Sequence, residues 1–127
     1  MTLRDIKDNV GAFRTLSPQT ITADVNGVGV DTRGFDSAMA VVIAGAIAAA
    51  GLVLPVLQES DDDVTYNDVA AADLQGAFVN LTADSIQRVG YAGAKRYIRV
   101  KADYISGTSV IVAASIEVSH AHIKPVA

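Results

Sequence analysis

His120 and His122 stand one residue apart, so an extended chain puts both imidazoles on one face, a spacing able to hold a transition metal. The chain has no cysteine and no other histidine to complete such a set, and the pair is read as a surface tail rather than a metal centre. The densest acidic run, Glu59-Ser60-Asp61-Asp62-Asp63, has the oxygens that attract a hard cation such as Ca²⁺. Adjacent carboxylates on an extended chain point in alternate directions, and no glycine supplies the sharp bend of a calcium loop. The run is therefore read as a solvated hairpin turn between Leu57 and Val64. Arg88, Lys95, Arg96, Arg99 and Lys101 cluster with Tyr91 and Tyr97 among them, a mixture found on nucleic-acid surfaces. A net charge of −4 opposes long-range attraction to phosphate. These bases are assigned to a wet strand face or to contact with an acidic protein, and no nucleic-acid partner is expected. Gly27-Val28-Gly29 and Gly90-Tyr91-Ala92-Gly93 precede no helix and so make no nucleotide loop. No residue is assigned a catalytic, cofactor-binding or metal-ligating role, and the chain is read as not an enzyme, with no cofactor.

The rest of the composition says what must hold these residues in place. At 127 residues the chain has room for one core, and half of it is hydrophobic with 19% charged, so it folds. Aromatics make up 6% and tryptophan is absent. The apolar mass is thus Val, Ile, Leu and Ala, which fill a thin core rather than line a roomy ligand pocket. The absence of cysteine leaves stability to packing or assembly. Arg4, Asp5, Lys7 and Asp8 interrupt the N-terminus and no apolar stretch follows, so no secretory signal is expected and synthesis is cytosolic.

Leu3, Ile6, Val10 and Phe13 recur at helix-like spacing until Ser17-Pro18 breaks any helix. Residues 1–18 are therefore read as an N-terminal arm ahead of a domain at 19–127, and those four residues are the candidate partner contacts. Beyond Pro18 the period changes to two. Strands at 21–25 and 28–32 flank Asn26-Gly27, a hairpin signal. Ile98, Val100, Ala102 and Tyr104 alternate with Arg99, Lys101 and Asp103, and Val110, Val112, Ala114, Ile116 and Val118 alternate likewise in 110–119. With a turn at Ser106-Gly107 between them, these two strands are expected to pair antiparallel. Shorter strands are expected at 64–66 and 86–91. Residues 38–57 carry no charge for the length of a membrane span. Gly45, Gly51 and Pro55 interrupt them and no aromatic or basic anchors flank them, so they are read as two strands, 38–44 and 52–58, joined by a small-residue loop. The expected fold is all-β: an antiparallel β-sandwich or jelly-roll-like domain with a short N-terminal arm.

Charge is unevenly placed: residues 1–33 are neutral overall, 34–87 carry −8 with no base, and 88–127 carry +4. Such blocks either join neighbouring copies edge to edge or pair within one subunit, and the second reading is preferred.

The chain resembles a family of small bacteriophage virion proteins encoded among head and tail structural genes. The likeness lies in Arg4-Asp5-Ile6-Lys7, in Leu57-Gln58-Glu59-Ser60-Asp61-Asp62 with Val69-Ala70-Ala71-Ala72-Asp73-Leu74-Gln75-Gly76, and in Arg88-Val89-Gly90-Tyr91 leading to Lys95-Arg96-Tyr97-Ile98-Arg99-Val100. It departs at the alanine-rich residues 46–50. The resemblance implies a structural subunit of the virion, assembled in the host cytoplasm, with a capsid decoration (cement) role ranked first. A head–tail joining (neck) or tail component ranks second; apart from the resemblance, the uncharged residues 38–57 leave a membrane-associated protein as the last reading, and no membrane partner is expected. The implied partners are the major capsid protein or other virion subunits, and further copies of the chain in a homo-oligomer such as a trimer.

Overall fold

The computed structural model describes residues 6–121; Leu3 and His122 lie outside them. Ten strands follow in order: β1 (Val10–Ile21), β2 (Val25–Asn26), β3 (Val30–Asp31), β4 (Phe35–Ala48), β5 (Leu52–Ser60), β6 (Asn67–Asp68), β7 (Leu74–Gln75), β8 (Ser85–Tyr91), β9 (Tyr97–Ser106) and β10 (Ser109–Ala121). A single 3₁₀ turn, Ala71–Asp73, is the only helical element among the described residues. The first sheet runs β1-β10-β4-β8-β7 and the second β2-β9-β5-β6, with β3 also on β9, all antiparallel. The two sheets pack face to face as an all-β sandwich.

The period-two pattern sets the core. On β10, Val110, Val112, Ala114, Ile116 and Val118 turn inward, opposite Ile98, Val100 and Ala102 of β9 and Val53 and Leu57 of β5. Ala40, Ala44, Ala102 and Ala114 are all buried, so the layers approach closely and the core is thin. Residues 66–84 cross from the edge of the second sheet to the edge of the first. Their Val69 and Leu81 plug the side of the sandwich, fixed by Val69 N–H to the Leu57 carbonyl and Leu81 N–H to the Val53 carbonyl, both 3.0 Å.

Several connections differ from the sequence expectation. The strands at 38–44 and 52–58 exist within β4 and β5, but they belong to opposite sheets, as do β9 and β10, so the expected β9–β10 pair does not form. Two tight corners make the crossings. Ala49 and Ala50 adopt positive φ (46° and 58°) and Gly51 N–H returns to the Ala48 carbonyl at 3.0 Å; Gly107, at φ 85°, turns the other corner. The corners touch, since a Cβ on Gly107 would meet Ala50 and Gly51. The doubled ribbon β4/β10 thus folds over into β5/β9.

The Asn26-Gly27 hairpin is also absent. β2 and β3 both lie on β9, with Val25 opposite Ala102 and Val30 opposite Ile98, and form one edge strand interrupted by a one-residue bulge. Thr15 of β1, from the other sheet, enters this gap. Its hydroxyl donates to the Val28 carbonyl (2.8 Å) and accepts Val100 N–H (3.1 Å), while Val28 N–H reaches the Thr15 carbonyl (2.7 Å). Gly27 is required there because a Cβ would run into the Val100 carbonyl and Thr15. The helix-like spacing before Pro18 is not a helix: residues from Val10 onward form β1, which runs through Pro18 and pairs with β10. Register shifts at 14–16 and 16–19 let both Thr15 and Leu16 turn inward and hide the strand's period. Cutting the chain at Pro18 would therefore remove buried Thr15 and Leu16, so an arm deletion does not spare the domain. The strand expected at 64–66 is loop, with pairing resuming at Asn67.

Candidate protein-docking interface

The two outer faces of the sandwich are unlike. On the second sheet, β9 presents Tyr97, Arg99, Lys101 and Asp103, and the register sets Gln58 of β5 beside Arg99. These groups satisfy one another. Arg99 donates to Gln58 Oε1 (2.9 Å) and lies 3.9 Å over the Tyr66 ring, Gln58 Nε2 donates to Asp68 (2.9 Å), and Lys101 pairs with Asp103 (2.9 Å). The Tyr66 hydroxyl donates to Asp63, and burial followed by that carboxylate pushes its pKa up.

The first sheet's outer face is apolar around Ile43 and polar toward Glu117, Arg14 and Arg88. The register stacks Ala12, Glu117, Met39 and Gly90 in one row; Arg14, Ser115, Val41 and Arg88 in the next; then Ala113, Ile43 and Ile86; and finally Ile111 beside Gly45. Ile43, inside β4, and Ile86 and Ile111, near the starts of β8 and β10, remain 51%, 66% and 43% exposed on a face where an antiparallel sheet facing water carries polar side chains. Ile43 and Ile86 are direct cross-strand partners. The patch is therefore contiguous, and contiguous exposed apolar surface marks a partner site.

Of the expected contacts, Leu3 lies outside the described residues and Ile6 is exposed ahead of β1. Val10 falls on the β1 border of this same face, whereas Phe13 is registered opposite the buried Ile116 and so belongs to the inner side of β1. Phe13 lines a shallow apolar hollow of about 260 Å³ with Pro18, Ile43 and Ala113, and Val10 lines a groove with Met39, Arg88 and Glu117. Ile43, Ile86 and Ile111 were not singled out by sequence. The available signal was that residues 41–44 are apolar at odd and even positions alike, as in a strand covered on both faces.

The titratable clusters have structural duties. Asp62 Oδ1 accepts Val64 and Thr65 N–H (3.0 Å each), which holds its carboxyl below the usual range, and the Ser60 hydroxyl accepts Asp62 and Asp63 N–H. The acidic run is thus the ordered turn of the β5–β6 hairpin, and Lys95 bonds Asp61 across it at 2.7 Å. Arg96 grips Asp31 through Nε and Nη2 (2.9 and 2.7 Å) and lowers that carboxyl's pKa. Tyr91, pushed up by burial and then by Glu59, donates to that carboxylate at 2.7 Å and ties the sheets together. Several bases of the positive block therefore pair within the subunit. Ser37 Oγ and His120 Nδ1 lie 2.7 Å apart, on neighbouring ends of β4 and β10. Among the described residues no cluster could hold a metal ion, and no helix is long and apolar enough to cross a membrane. No protein-family model matches the chain, and no curated protein matches it.

Proposed function

We propose that this chain is a non-enzymatic structural subunit of a bacteriophage particle, with its first role as a capsid decoration (cement) protein on the major capsid shell. The observation that supports a docking role is the patch on the first sheet, where Ile43, Ile86 and Ile111 lie uncovered side by side; the second sheet's outer surface is largely occupied by its own ion pairs and hydrogen bonds, with Ile105 exposed toward the end of β9. Repetition by symmetry turns a modest contact of this kind into firm attachment. The phage assignment rests on the resemblance of the 57–62, 69–76 and 88–100 segments. The grooves on the surface are open and shallow, which fits docking better than turnover of an enclosed substrate.

The test is the copy number of the chain in purified particles, by quantitative mass spectrometry against the major capsid protein. A decoration protein is present in about the same number as the capsid subunits or a fixed fraction of them, on the order of hundreds. About a dozen copies would place it at the neck instead, and absence from particles would end the virion reading.

A further inference from the structure

We propose that the outer face of the first sheet packs against the same face of a second copy, about a two-fold axis that crosses the strands at the level of Ile43 and Ile86. The proposal makes a second copy the occupant of this face, so that attachment to a particle would be made by other surfaces of the dimer, and it does not require a phage particle.

An isologous contact demands a patch complementary to itself. β8 and the turn ahead of it supply one: Asp84, at a φ of 53° just before the strand, lies two residues before Ile86, and Arg88 lies two residues after it. Ile86 and Arg88 share the outer face, opposite Ile43 and Val41, and Asp84 sits at the same edge, its N–H on the Gly45 carbonyl at 3.0 Å. A two-fold axis through the Ile43–Ile86 row reverses strand direction between the copies. It sets Ile43 against Ile43 and Ile86 against Ile86 in the centre, and brings Arg88 of each copy over Asp84 of the other. Neither charge is used at home: among the described residues, the side chains of Asp84 and Arg88 make no ion pair or hydrogen bond, unlike Lys95, Arg96 and Lys101. Along the strands the face is also small and smooth enough for another sheet, with Gly45, Ala113 and Val41 around the isoleucines.

Four strands spaced at about 4.8 Å, each with roughly eight residues rising about 3.3 Å, project roughly 500 Å² per copy, so the two copies together reach the ~1,000 Å² at the lower end of specific interfaces. Two aligned sheets packed face to face stack about 10 Å apart with strands within roughly 30° of each other.

Sedimentation equilibrium of the purified full chain tests this. The expected result is a dimer at micromolar concentration. Arg88→Asp and Asp84→Arg each set two like-charge contacts across the axis and weaken the dimer about tenfold or more. The double variant Asp84→Arg/Arg88→Asp restores it, and Ile43→Lys abolishes it. Circular dichroism confirms that each variant keeps its strand spectrum. A wild-type monomer at about 100 µM, a trimer, or a folded double variant as weak as its parents would overturn the proposal. Particle binding is measured separately. A monomer that still decorates particles sinks the dimer alone, whereas a dimer never found in particles sinks the virion role alone.

Discussion

Thr15 is the point at which the two sheets are sewn together along the β1 edge, and replacing it by valine isolates that stitch. Thr15→Val keeps the shape and removes the hydroxyl, which is 2% exposed at residue level and accepts the Val100 N–H while donating to the Val28 carbonyl. The Val28 carbonyl lies on an exposed bulge and can turn to water. The Val100 N–H cannot, because Val100 is fully buried. A stranded buried donor costs about 1–3 kcal/mol, more than an ordinary lost hydrogen bond. Taking about 2 kcal/mol and an unfolding entropy of about 2.1 cal/mol/K per residue, the midpoint falls by roughly 7 °C. Thr15→Ser retains the oxygen and loses one methyl, for about 1 kcal/mol or less. The assay is urea and thermal denaturation of the three proteins at one fixed concentration, with the slope against urea checked for constancy. If valine proves no more harmful than serine, the hydroxyl is not what closes this edge.

Two further outcomes follow from the same edge and its neighbours. Gly27→Ala thrusts a Cβ into the Val100 carbonyl and Thr15 and is expected to destabilise by about 2 kcal/mol or more, whereas Gly34→Ala, with open space around it, suffers only the strain of its φ of 93°, about 1 kcal/mol; equal losses in a denaturation series would contradict the bulge packing. The Asp31 carboxyl is held below its ordinary 3.8 by the Arg96 guanidinium, so its contribution is present above that value and fades as pH drops through the lower folded-state value. Asp31→Asn should therefore weaken the protein by about 0.5–1 kcal/mol at pH 7, and the gap between variant and wild type should close toward pH 2; a gap that persists in acid would rule the ion pair out as its source.

The strands were legible wherever burial on one face imposed strict alternation. Residues 98–104 and 110–118 are examples, and their inward positions are those the period-two pattern names. Residues 38–57 were likewise divided into two strands, although only the corner at 49–51 separates them: β4 runs on through Gly45 to Ala48, and Pro55 lies inside β5. What was not legible was which strand lies beside which. Adjacent strands joined by a short turn usually pair, but here the turns at 49–51 and 107 fold the ribbon over, and Ala49 and Ala50 hold positive φ without being turn-forming residue types. β1 was obscured for a different reason. Two register shifts within it break the alternation, and the residues ahead of them fall by coincidence at helical intervals. The docking face was only partly legible: Val10 sits on its border, but Ile43 drew no notice within the strand at 38–44, since sequence cannot say which side of a doubly apolar strand has a partner.

The position of β10 has a consequence for synthesis. It is the inner strand between β1 and β4, so the first long strand to leave the ribosome has no ladder partner in its sheet until the last one arrives about a hundred residues later, roughly 5–20 s at ordinary translation speeds. Until then the apolar sides of β1, β4 and β8 are open to one another and to other nascent chains. Slow translation or a chain broken before β10 should thus send this protein to aggregation, and chaperone demand during expression should peak just before the final strand is complete.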